Sequence, residues 1–400
     1  MKKLGSLLLW SASVALSSNA LAAGITVSPS QAGTSVSKAA SGSDVVNIAA
    51  PDANGISHNT YTDFNVGTAG VVLNNSATRV QTDLAGAVEG NVNLAGHTAS
   101  VILNEVVGGN ASKLGAGLEL AGADAKVILA NPNGITCSGC EFFNIEAVDL
   151  VAGAPDFFNG ELQGFRLDEG DITVDWQGMR AGETEQLKLM ANSILVDGKI
   201  SANDVSLITN RGHVRPDGTI RSSDDSWRFP KVAIDVTSMG GIHGSNIQLV
   251  SGNRGGVGVN VDGALLANSI HSSLGRIDID AYGDINIGQV LNSSGDMTLT
   301  TAHSVRNRGQ VFSDRSLYVT AKDTIDNNHG NMNSFSHMAL SANHLSNVWG
   351  NITSNQVIDI KDTSWFGVNN TFGEIKAGGA ITGNTPWWLF NVGGVVDGNI

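Results

Sequence analysis

Residues 277–299 read IDIDAYGDINIGQVLNSSGDMTL and contain two copies of a motif in which apolar residues flank a polar one. The motif returns along the chain as far as residue 360. Its five copies begin at Ile277, Met297, Leu317, Met338 and Ile358, so the steps between them are 20, 20, 21 and 20 residues. A repeat of nearly constant length predicts a fold that grows by stacking one unit on the next.

Two further apolar series share this period. The first series, at steps of 20, 20 and 20, is Ile285, Val305, Ile325 and Leu345, and the second, at steps of 21, 21 and 20, is Val290, Val311, Met332 and Ile352. Three strands per unit, at ~3.3 Å per residue, make a coil of at most ~65 Å, and coils stack ~4.8 Å apart. The pattern predicts an all-β chain that forms a parallel β-helix. The alternative is a β-sandwich or barrel with coincidental spacing.

Asn and Gly residues keep the same phase and predict the corners of the coils. Asn307, Asn327 or Asn328, and Asn347 are expected to form a hydrogen-bonded ladder between equivalent turns. Gly309, Gly330 and Gly350 mark positions that need a positive φ or a close backbone approach. Because the ends of a β-helix are open strand edges, we expect a cap at the N-terminal end, formed within the less periodic residues 24–153.

The composition excludes several protein classes. The chain has 400 residues with 49 Gly, 7 Pro and 2 Cys, which argues against collagen, coiled coils and disulfide-rich scaffolds. Its formal net charge is −14. A chain this acidic repels phosphate backbones, so we expect no nucleic-acid partner, and a polyanionic ligand would need a local basic patch.

The N-terminus predicts a secretory signal peptide over residues 1–22. Lys2 and Lys3 precede an apolar run from Leu7 to Leu16, and Ala20-Leu21-Ala22 supplies the small residues of a cleavage site. The run is shorter than the ~20 residues that a bilayer-spanning helix needs. The sequence therefore predicts export through the periplasm.

The distinctive motifs lie between residues 61 and 137. Residues 61–67 read YTDFNVG, and Leu73-Asn74-Asn75 ends a strand soon afterwards. Asn104 lies in the strand around 102–106, and a strand ending at Ala130 leads into Asn131-Pro132-Asn133-Gly134-Ile135. Pro fixes φ and Asn-Gly accepts positive φ, so the last segment predicts a tight turn between two strands.

In this order, these segments resemble the N-terminal secretion domain of two-partner secretion exoproteins, the filamentous haemagglutinin-like family. The resemblance covers roughly residues 24–260. It implies a capped, right-handed β-helix that is recognised by the periplasmic modules of a dedicated outer-membrane barrel transporter. Many relatives have Asn-Pro where this chain has Asn110-Ala111, a form similar to the haemolysin and contact-dependent inhibition branches. We therefore expect a secretion domain over 23–260 and a β-helix repeat region over 261–400.

The resemblance also assigns roles to residues. The implied secretion motif is Asn131, Pro132, Asn133, Gly134 and Ile135. The residues implied as secondary contacts of the transporter are Phe64, Asn65, Asn74, Asn75 and Asn104.

Cys137 and Cys140 are the two cysteines of the chain. In an oxidising periplasm, this spacing predicts a small disulfide across the turn after Gly134. A zinc site would need two further ligands, and a redox-active pair opens a helix in a βαβ setting, which this sequence does not offer. We expect no metal and no cofactor.

Three functions fit the sequence. The preferred one is a secreted adhesin or haemagglutinin, or its secretion-competent N-terminal part, with a host-cell surface or glycan receptor. The second is a haemolysin, cytotoxin or contact-dependent toxin-delivery protein of the same family. The third is a carbohydrate-active β-helix enzyme, which needs clustered carboxylates. Its candidates lie in irregular stretches, so we expect no enzyme; they are Asp168, Glu169, Asp171, Asp224 and Asp225.

Overall fold

The computed structural model describes residues 24–224, 229–268, 274–384 and 389–399. The expected signal peptide over 1–22 and Asp225 lie outside the described residues. Within them the chain is nearly all β, with one short 3-10 helix, η1 (Val92–Leu94). No helix of the described part is long and apolar enough to span a bilayer.

Twenty-two strands lie in the described residues up to 223. They are β1 (Thr26–Val27), β2 (Ser35–Lys38), β3 (Asp44–Asn47), β4 (Ile56–Asp63), β5 (Val71–Asn75), β6 (Val80–Thr82), β7 (Gly86–Val88), β8 (Val101–Val106), β9 (Ser112–Leu114), β10 (Gly117–Gly122), β11 (Lys126–Ala130), β12 (Ile135–Cys137), β13 (Cys140–Phe143), β14 (Ala147–Val151), β15 (Ala154–Phe158), β16 (Glu161–Leu167), β17 (Asp171–Val174), β18 (Met179–Ala191), β19 (Ser193–Val196), β20 (Lys199–Thr209), β21 (Gly212–Val214) and β22 (Ile220–Ser223).

Twenty-two more strands follow in the described residues beyond 229. They are β23 (Val232–Val236), β24 (Gly241–Gly244), β25 (Asn246–Ser251), β26 (Val257–Val261), β27 (Ala264–Ala267), β28 (Arg276–Ala281), β29 (Asp284–Ile287), β30 (Val290–Ser293), β31 (Met297–Thr301), β32 (Val305–Asn307), β33 (Gln310–Ser313), β34 (Leu317–Ala321), β35 (Thr324–Asp326), β36 (Asn331–Ser334), β37 (His337–Ala342), β38 (His344–Ser346), β39 (Asn351–Ser354), β40 (Val357–Asp362), β41 (Val368–Asn369), β42 (Glu374–Asn384), β43 (Leu389–Phe390) and β44 (Val395–Asn399).

These strands form a parallel β-helix with three faces, as the sequence predicts. We call the faces sheet 1, which contains β5, β10, β13 and the strands stacked on them; sheet 2, which contains β8, β11 and β14; and sheet 3, which runs from β9 and β12 to β43. Each strand pairs in parallel with the equivalent strand of the next coil. One apolar core fills the interior from Val46 to Ala377.

The strand register confirms the first two apolar series and corrects the third. Ile277, Met297 and Leu317 are partners in sheet 2, and Ile285 and Val305 are partners in sheet 3. In sheet 1, however, the partner of Val311 is Leu291, whereas Val290 pairs with Gln310. Successive side chains of a strand point to opposite faces, so the shift by one residue places Leu291 in the core and Val290 on the outer face. Leu291 is fully buried.

The asparagine ladder forms, and it uses Asn327 rather than Asn328. The Nδ2 group of Asn307 donates to Oδ1 of Asn327 over 2.7 Å, and Asn327 donates to Asn347 over 2.7 Å. The ladder continues through Asn370 to Asn391, again at 2.7 Å per step. Each interior amide of the ladder is therefore satisfied by the next coil, as buried polar groups require.

The N-terminal cap is shorter than the sequence predicts. Strand β2 pairs antiparallel with β3, and β1 pairs antiparallel with β4, so residues 26–38 cover the first coil. Strands β3 and β4 already pair in parallel with β5 and β8, so residues from 44 onward belong to the coils. The reversed strands occupy edges that would otherwise accept another chain.

Two antiparallel additions cover the outside of the early coils. The β6–β7 hairpin lies over sheet 1 and buries Val45, Val72 and Val88. The four-stranded sheet β15–β16–β21–β22 lies over sheet 2 and encloses a second apolar cluster that includes Leu103, Ile128 and Phe165. These additions lengthen the coils that carry them.

Candidate functional site

The segment Asn131–Ile135 forms the predicted turn between β11 and β12. The backbone N–H of Gly134 donates to the carbonyl of Asn131 over 3.0 Å. The Asn131 side-chain oxygen accepts from the backbone N–H of Asn133 over 2.9 Å. Gly134 has φ of +102°, and a Cβ there would lie 2.8 Å from the carbonyl oxygen of Asp171 in the next coil. The position therefore requires glycine.

Asn131 and Asn133 also fasten this turn to the preceding coil. The Nδ2 group of Asn131 donates to the carbonyl of Asn110 and to Oγ of Ser112, each over 3.0 Å. Nδ2 of Asn133 donates to the carbonyl of Gly108 over 2.8 Å. The Asn131 side chain is fully buried, whereas Pro132 and Asn133 are exposed. The segment thus combines an exposed tip with a buried anchor.

Ile135 carries the turn into the core. It lies in β12, between Ser112 of β9 and Ile172 of β17, and is buried. The secretion motif implied by the resemblance is therefore one continuous feature of the fold, in which a tip, an anchor and a core residue join adjacent coils at the start of sheet 3.

Phe64 and Asn65 lie at the beginning of the same sheet. Oδ1 of Asn65 accepts from the backbone N–H of Lys113 over 2.9 Å, which places this segment beside β9. The Phe64 ring is buried and meets Tyr61 edge to face, with 5.0 Å between the ring centres. The Tyr61 hydroxyl donates to Oδ1 of Asn104 over 3.0 Å. Phe64 and Asn104 are therefore interior residues.

Asn74 and Asn75 occupy a different corner, at the end of β5 in sheet 1. Nδ2 of Asn74 donates to Oδ1 of Asn47 over 2.8 Å. Nδ2 of Asn75 donates to the carbonyls of Ala99 and Ala123, each over 2.9 Å. Both side chains are fully buried. The structure therefore brings Asn65 and the 131–135 turn to one sheet edge and leaves this pair apart from them.

The predicted disulfide joins Cys137 to Cys140. It spans the turn between β12 and β13, and both cysteines are buried in the main core. The bond therefore closes one corner of one coil and links no distant segments. In the described part of the chain, no three His, Cys, Asp or Glu side chains gather as a metal site.

Two anchors have no clear signal in the sequence. The Gln31 side chain in the cap accepts from the backbone N–H of Thr60 over 3.0 Å and from its hydroxyl over 2.8 Å. The carboxylate of Glu119 is fully buried and accepts from the backbone N–H groups of Asp83 and Leu84, each over 2.8 Å. Glu119 thus holds the hairpin of β6 and β7 against sheet 1.

The described carboxylates weighed for an enzyme make surface contacts, and two of them, Asp168 and Asp224, share Arg166. Asp168 accepts from Nε of Arg166 over 3.1 Å. Glu169 lies 3.4 Å from Arg211. Oδ1 of Asp171 accepts from the hydroxyl of Ser193 over 2.7 Å. Each of the three is thus engaged with a different neighbour, and Asp224 lies 3.9 Å from the Arg166 guanidinium.

Comparison with known proteins places this geometry in a family. The family model described as the TPS secretion domain matches residues 22–287. The chain belongs to the TPS secretion domain family. This match includes the 131–135 turn, the disulfide corner and both antiparallel additions.

Relatives of this TPS secretion domain include toxins and a haemolysin. The chain is 38% identical to the tRNA nuclease CdiA of Yersinia mollaretii over 68% of its own length and 9% of that protein. It is 34% identical to the 16S rRNA endonuclease CdiA of Enterobacter cloacae over 82% of its length and 10% of that protein. It is 34% identical to the hemolysin of Serratia marcescens over 78% of its length and 21% of that protein.

A solved structure shares the fold of this TPS secretion domain. The crystal structure of filamentous hemagglutinin secretion domain superimposes with a TM-score of 0.53 at 20% identity, over 94% of this chain and 99% of that chain. This likeness shows the fold.

The chain spans 9% to 21% of the length of the curated relatives described above. The nuclease activities in their names are those of the whole proteins, whereas the region that this chain shares with them includes the TPS secretion domain. Proteins of this family are secreted across the outer membrane, with an outer-membrane transporter as partner.

Proposed function

We propose that this chain directs its own export by presenting the 131–135 turn to the periplasmic modules of its transporter. The observation that carries the proposal is the division of the turn into an exposed tip, Pro132 and Asn133, and a buried anchor, Asn131. An exposed tip is available to a partner, and the anchor fixes its conformation. Phe64, Asn65 and Asn104 lie in the neighbouring coils, whereas Asn74 and Asn75 lie at a separate corner; we propose all five as secondary contacts of the transporter, made before their side chains are buried by folding.

The parallel topology suggests how the chain stays competent for export. Each strand pairs with a strand about one coil away, as when Met297 pairs with Leu317, and such non-local pairing slows folding. We propose that the coils around the 131–135 turn form first, and that the strands beyond them stay unpaired long enough for the transporter to bind them as an added strand. Folding outside the cell then proceeds coil upon coil. In this scheme residues 1–22 are a cleaved signal peptide, and residues 23–260 form the secretion unit ahead of the repeat region over 261–400.

The proposal is tested with two variants of the turn and one matched control. Asn131→Ala and Asn133→Ala are expected to accumulate in the periplasm when the chain is co-expressed with its transporter. Asn347→Ala removes a buried asparagine of the ladder, far from the turn, and is expected to reach the medium or the cell surface. Fractionation and immunoblotting measure the three outcomes. Normal export of both turn variants contradicts the proposal. If Asn347→Ala is retained in the periplasm as strongly as the turn variants, general destabilisation explains the retention and the proposal is also rejected.

For the whole exoprotein, an adhesin or haemagglutinin remains the first candidate, and the relatives add toxin delivery or haemolysis as the second. The curated relatives above include two CdiA nucleases and a hemolysin, all at least 34% identical to this chain. Expression with the transporter tests this choice, because lysis of red cells or killing of neighbouring bacteria supports the toxin function. Attachment or agglutination without killing supports an adhesin that binds a host-cell surface or glycan receptor.

A further inference from the structure

A groove of about 480 Å³ crosses the outer face of sheet 1 on β13, β18 and β20. Its lining includes Phe143, Gln177, Arg180, Lys199 and Ser201. The volume is within the range of small-molecule sites. The groove lies outside the 131–135 turn and plays no part in the export proposal.

A bulge in β18 forms one wall of the groove. Ala181 pairs with Ala202, and the next pair along the ladder is Gln186 with Asp204. Between these two pairs β18 advances by five residues and β20 by only two, so β18 contains three extra residues. The three extra residues leave the ladder close to Gly182, which lines the groove. Bulges of this kind redirect side chains and are common beside functional sites. The backbone bulge at Gly182 therefore contributes to the recess together with the side chains that line it.

The groove carries positive charge on an acidic chain. Arg180 and Lys199 line it together with one carboxylate, Glu141, so the charged lining residues sum to +1 on a chain whose formal net charge is −14. Arg180 makes one contact with Glu141, over 3.2 Å, and its side chain remains 63% exposed. Such an exposed pair contributes little stability, so most N–H groups of the guanidinium can bind a ligand.

Lys199 is a second available cation. Within the described residues, its ammonium group makes no hydrogen bond and no ion pair, and it is exposed. Its strand partner on the next coil is Gly241, which has no side chain to cover it. Burial, and to a smaller extent the nearby charge of Lys199, lowers the pKa of His243. Glu141 is the carboxylate of the groove lining, and it pairs with Arg180 rather than with Lys199.

The strand pairing limits what the groove can bind. Strands β13, β18 and β20 are paired on both sides, so the groove offers no open edge to an extended peptide. Recognition must therefore use side chains: a charged fork, an ammonium group, the amide of Gln177, the hydroxyl of Ser201 and the half-exposed Phe143 ring. Carboxylate and sulfate groups match an arginine fork, and hydroxyl groups match the amide and the hydroxyl.

We propose that this groove binds an acidic saccharide, with its carboxylate or sulfate group held by Arg180 and Lys199 and a sugar ring against Phe143. Gln177 and Ser201 bind hydroxyl groups of the same ligand. Two cations on a chain of this net charge suit a short oligosaccharide, whereas nucleic acid needs many phosphate contacts.

Calorimetric titration of the purified chain tests the proposal. The probes are a galacturonic acid trimer, a sulfated galactose trimer, a neutral galactose trimer and sodium sulfate. At least one acidic trimer is expected to bind, more weakly as salt rises, and the two acidic probes distinguish carboxylate from sulfate. Arg180→Gln and Lys199→Gln are each expected to lower affinity about tenfold. Lys322→Gln, which removes an exposed lysine on a distant coil, is expected to change nothing.

Several results overturn the proposal. If the neutral trimer binds as tightly as the acidic trimers, charge has no role in recognition. If sodium sulfate binds as tightly as the sulfated trimer, the sugar rings contribute nothing to binding. Absence of binding by both acidic trimers, or unchanged binding by both groove variants, also rejects it. Unchanged circular dichroism and thermal unfolding of each variant keep folding defects out of the comparison. Export of Lys199→Gln is expected to be normal. The saccharide proposal can therefore fail while the export proposal holds, and the reverse is also possible.

Discussion

Tyr61 shows how a single buried hydroxyl links two adjacent coils, through strands β4 and β8. Its ring is fully buried against Phe64, and its hydroxyl donates to Asn104 in the neighbouring strand of sheet 2. Burial raises the pKa of the Tyr61 hydroxyl well above its usual range. The ionised form is therefore tolerated by the unfolded chain and disfavoured by the folded one.

Replacement of Tyr61 by Phe is expected to change how stability depends on pH. Because the folded pKa is raised, the stability contributed by the neutral hydroxyl is complete below about pH 10 and is lost as pH rises further. The variant should lose about 1 kcal/mol at pH 7 through the missing hydrogen bond. Above about pH 10, the original chain should lose up to about 1.4 kcal/mol per pH unit more than the variant. Urea unfolding at pH 7 and between pH 9 and 11 measures this, and parallel curves for the two proteins contradict it.

At the residue scale, the sequence is informative where partners are local. Asn131, Asn133 and Gly134 are readable as a turn because their contacts with one another lie within four residues. Gln31 and Glu119 are not readable, because the groups they bind are 29 and 35 or 36 residues away. Only the folded coils bring those groups together.

The asparagine ladder is an element whose strength is predicted by its geometry. Asn347 accepts from Asn327 and donates to Asn370, to Gly350 and to Glu374. Replacement of Asn347 by Ala leaves the buried Oδ1 of Asn370 without this donor, at a cost of about 1–3 kcal/mol. Denaturant unfolding measures the loss. Asn355→Ala, on an exposed side chain of the same region, serves as the control, and equal effects of the two changes contradict the role of the ladder.

At the scale of elements, the sequence identifies strands better than it places them. The sequence alone does not show whether Val290 or Leu291 points into the core, because both residues are apolar. The pairing of β30 with β33 shows that Leu291 faces the core. Strand β11 reads as an unbroken apolar run because both of its faces are buried, Leu129 toward the main core and Ile128 toward the additional sheet. An unbroken apolar strand shows that two faces are covered, but it does not show what covers the outer one.

The whole molecule behaves as a stack in which each coil contacts its neighbours. The residue period is readable toward the C-terminus because those coils consist of strands and tight corners alone. In the early coils, additions interrupt the period: Ile200 and Ile242 are partners although 42 residues separate them. Secretion motifs, rather than periodicity, therefore identify that part of the chain.

A core truncation in one coil is expected to act locally. Leu299 is fully buried between Ile279 and Val319, and its replacement by Ala should cost about 2–5 kcal/mol. In a stack of nearest neighbours, the loss concentrates in adjacent coils. Hydrogen exchange should show lower protection from β28 to β36 and unchanged protection from β3 to β14. Thr300→Ala, which alters the opposite face of the same strand, is the control, and uniform loss of protection along the chain contradicts the expectation.

The disulfide at Cys137 and Cys140 has a consequence for passage through a narrow channel. The bond closes a ring of four residues, so an unfolded chain that contains it is barely wider than a linear one. Under the proposed export scheme, oxidation before translocation therefore leaves the polypeptide able to move in single file, and no reductant is needed to open the disulfide. A crosslink between coils would instead force two or more segments to travel side by side.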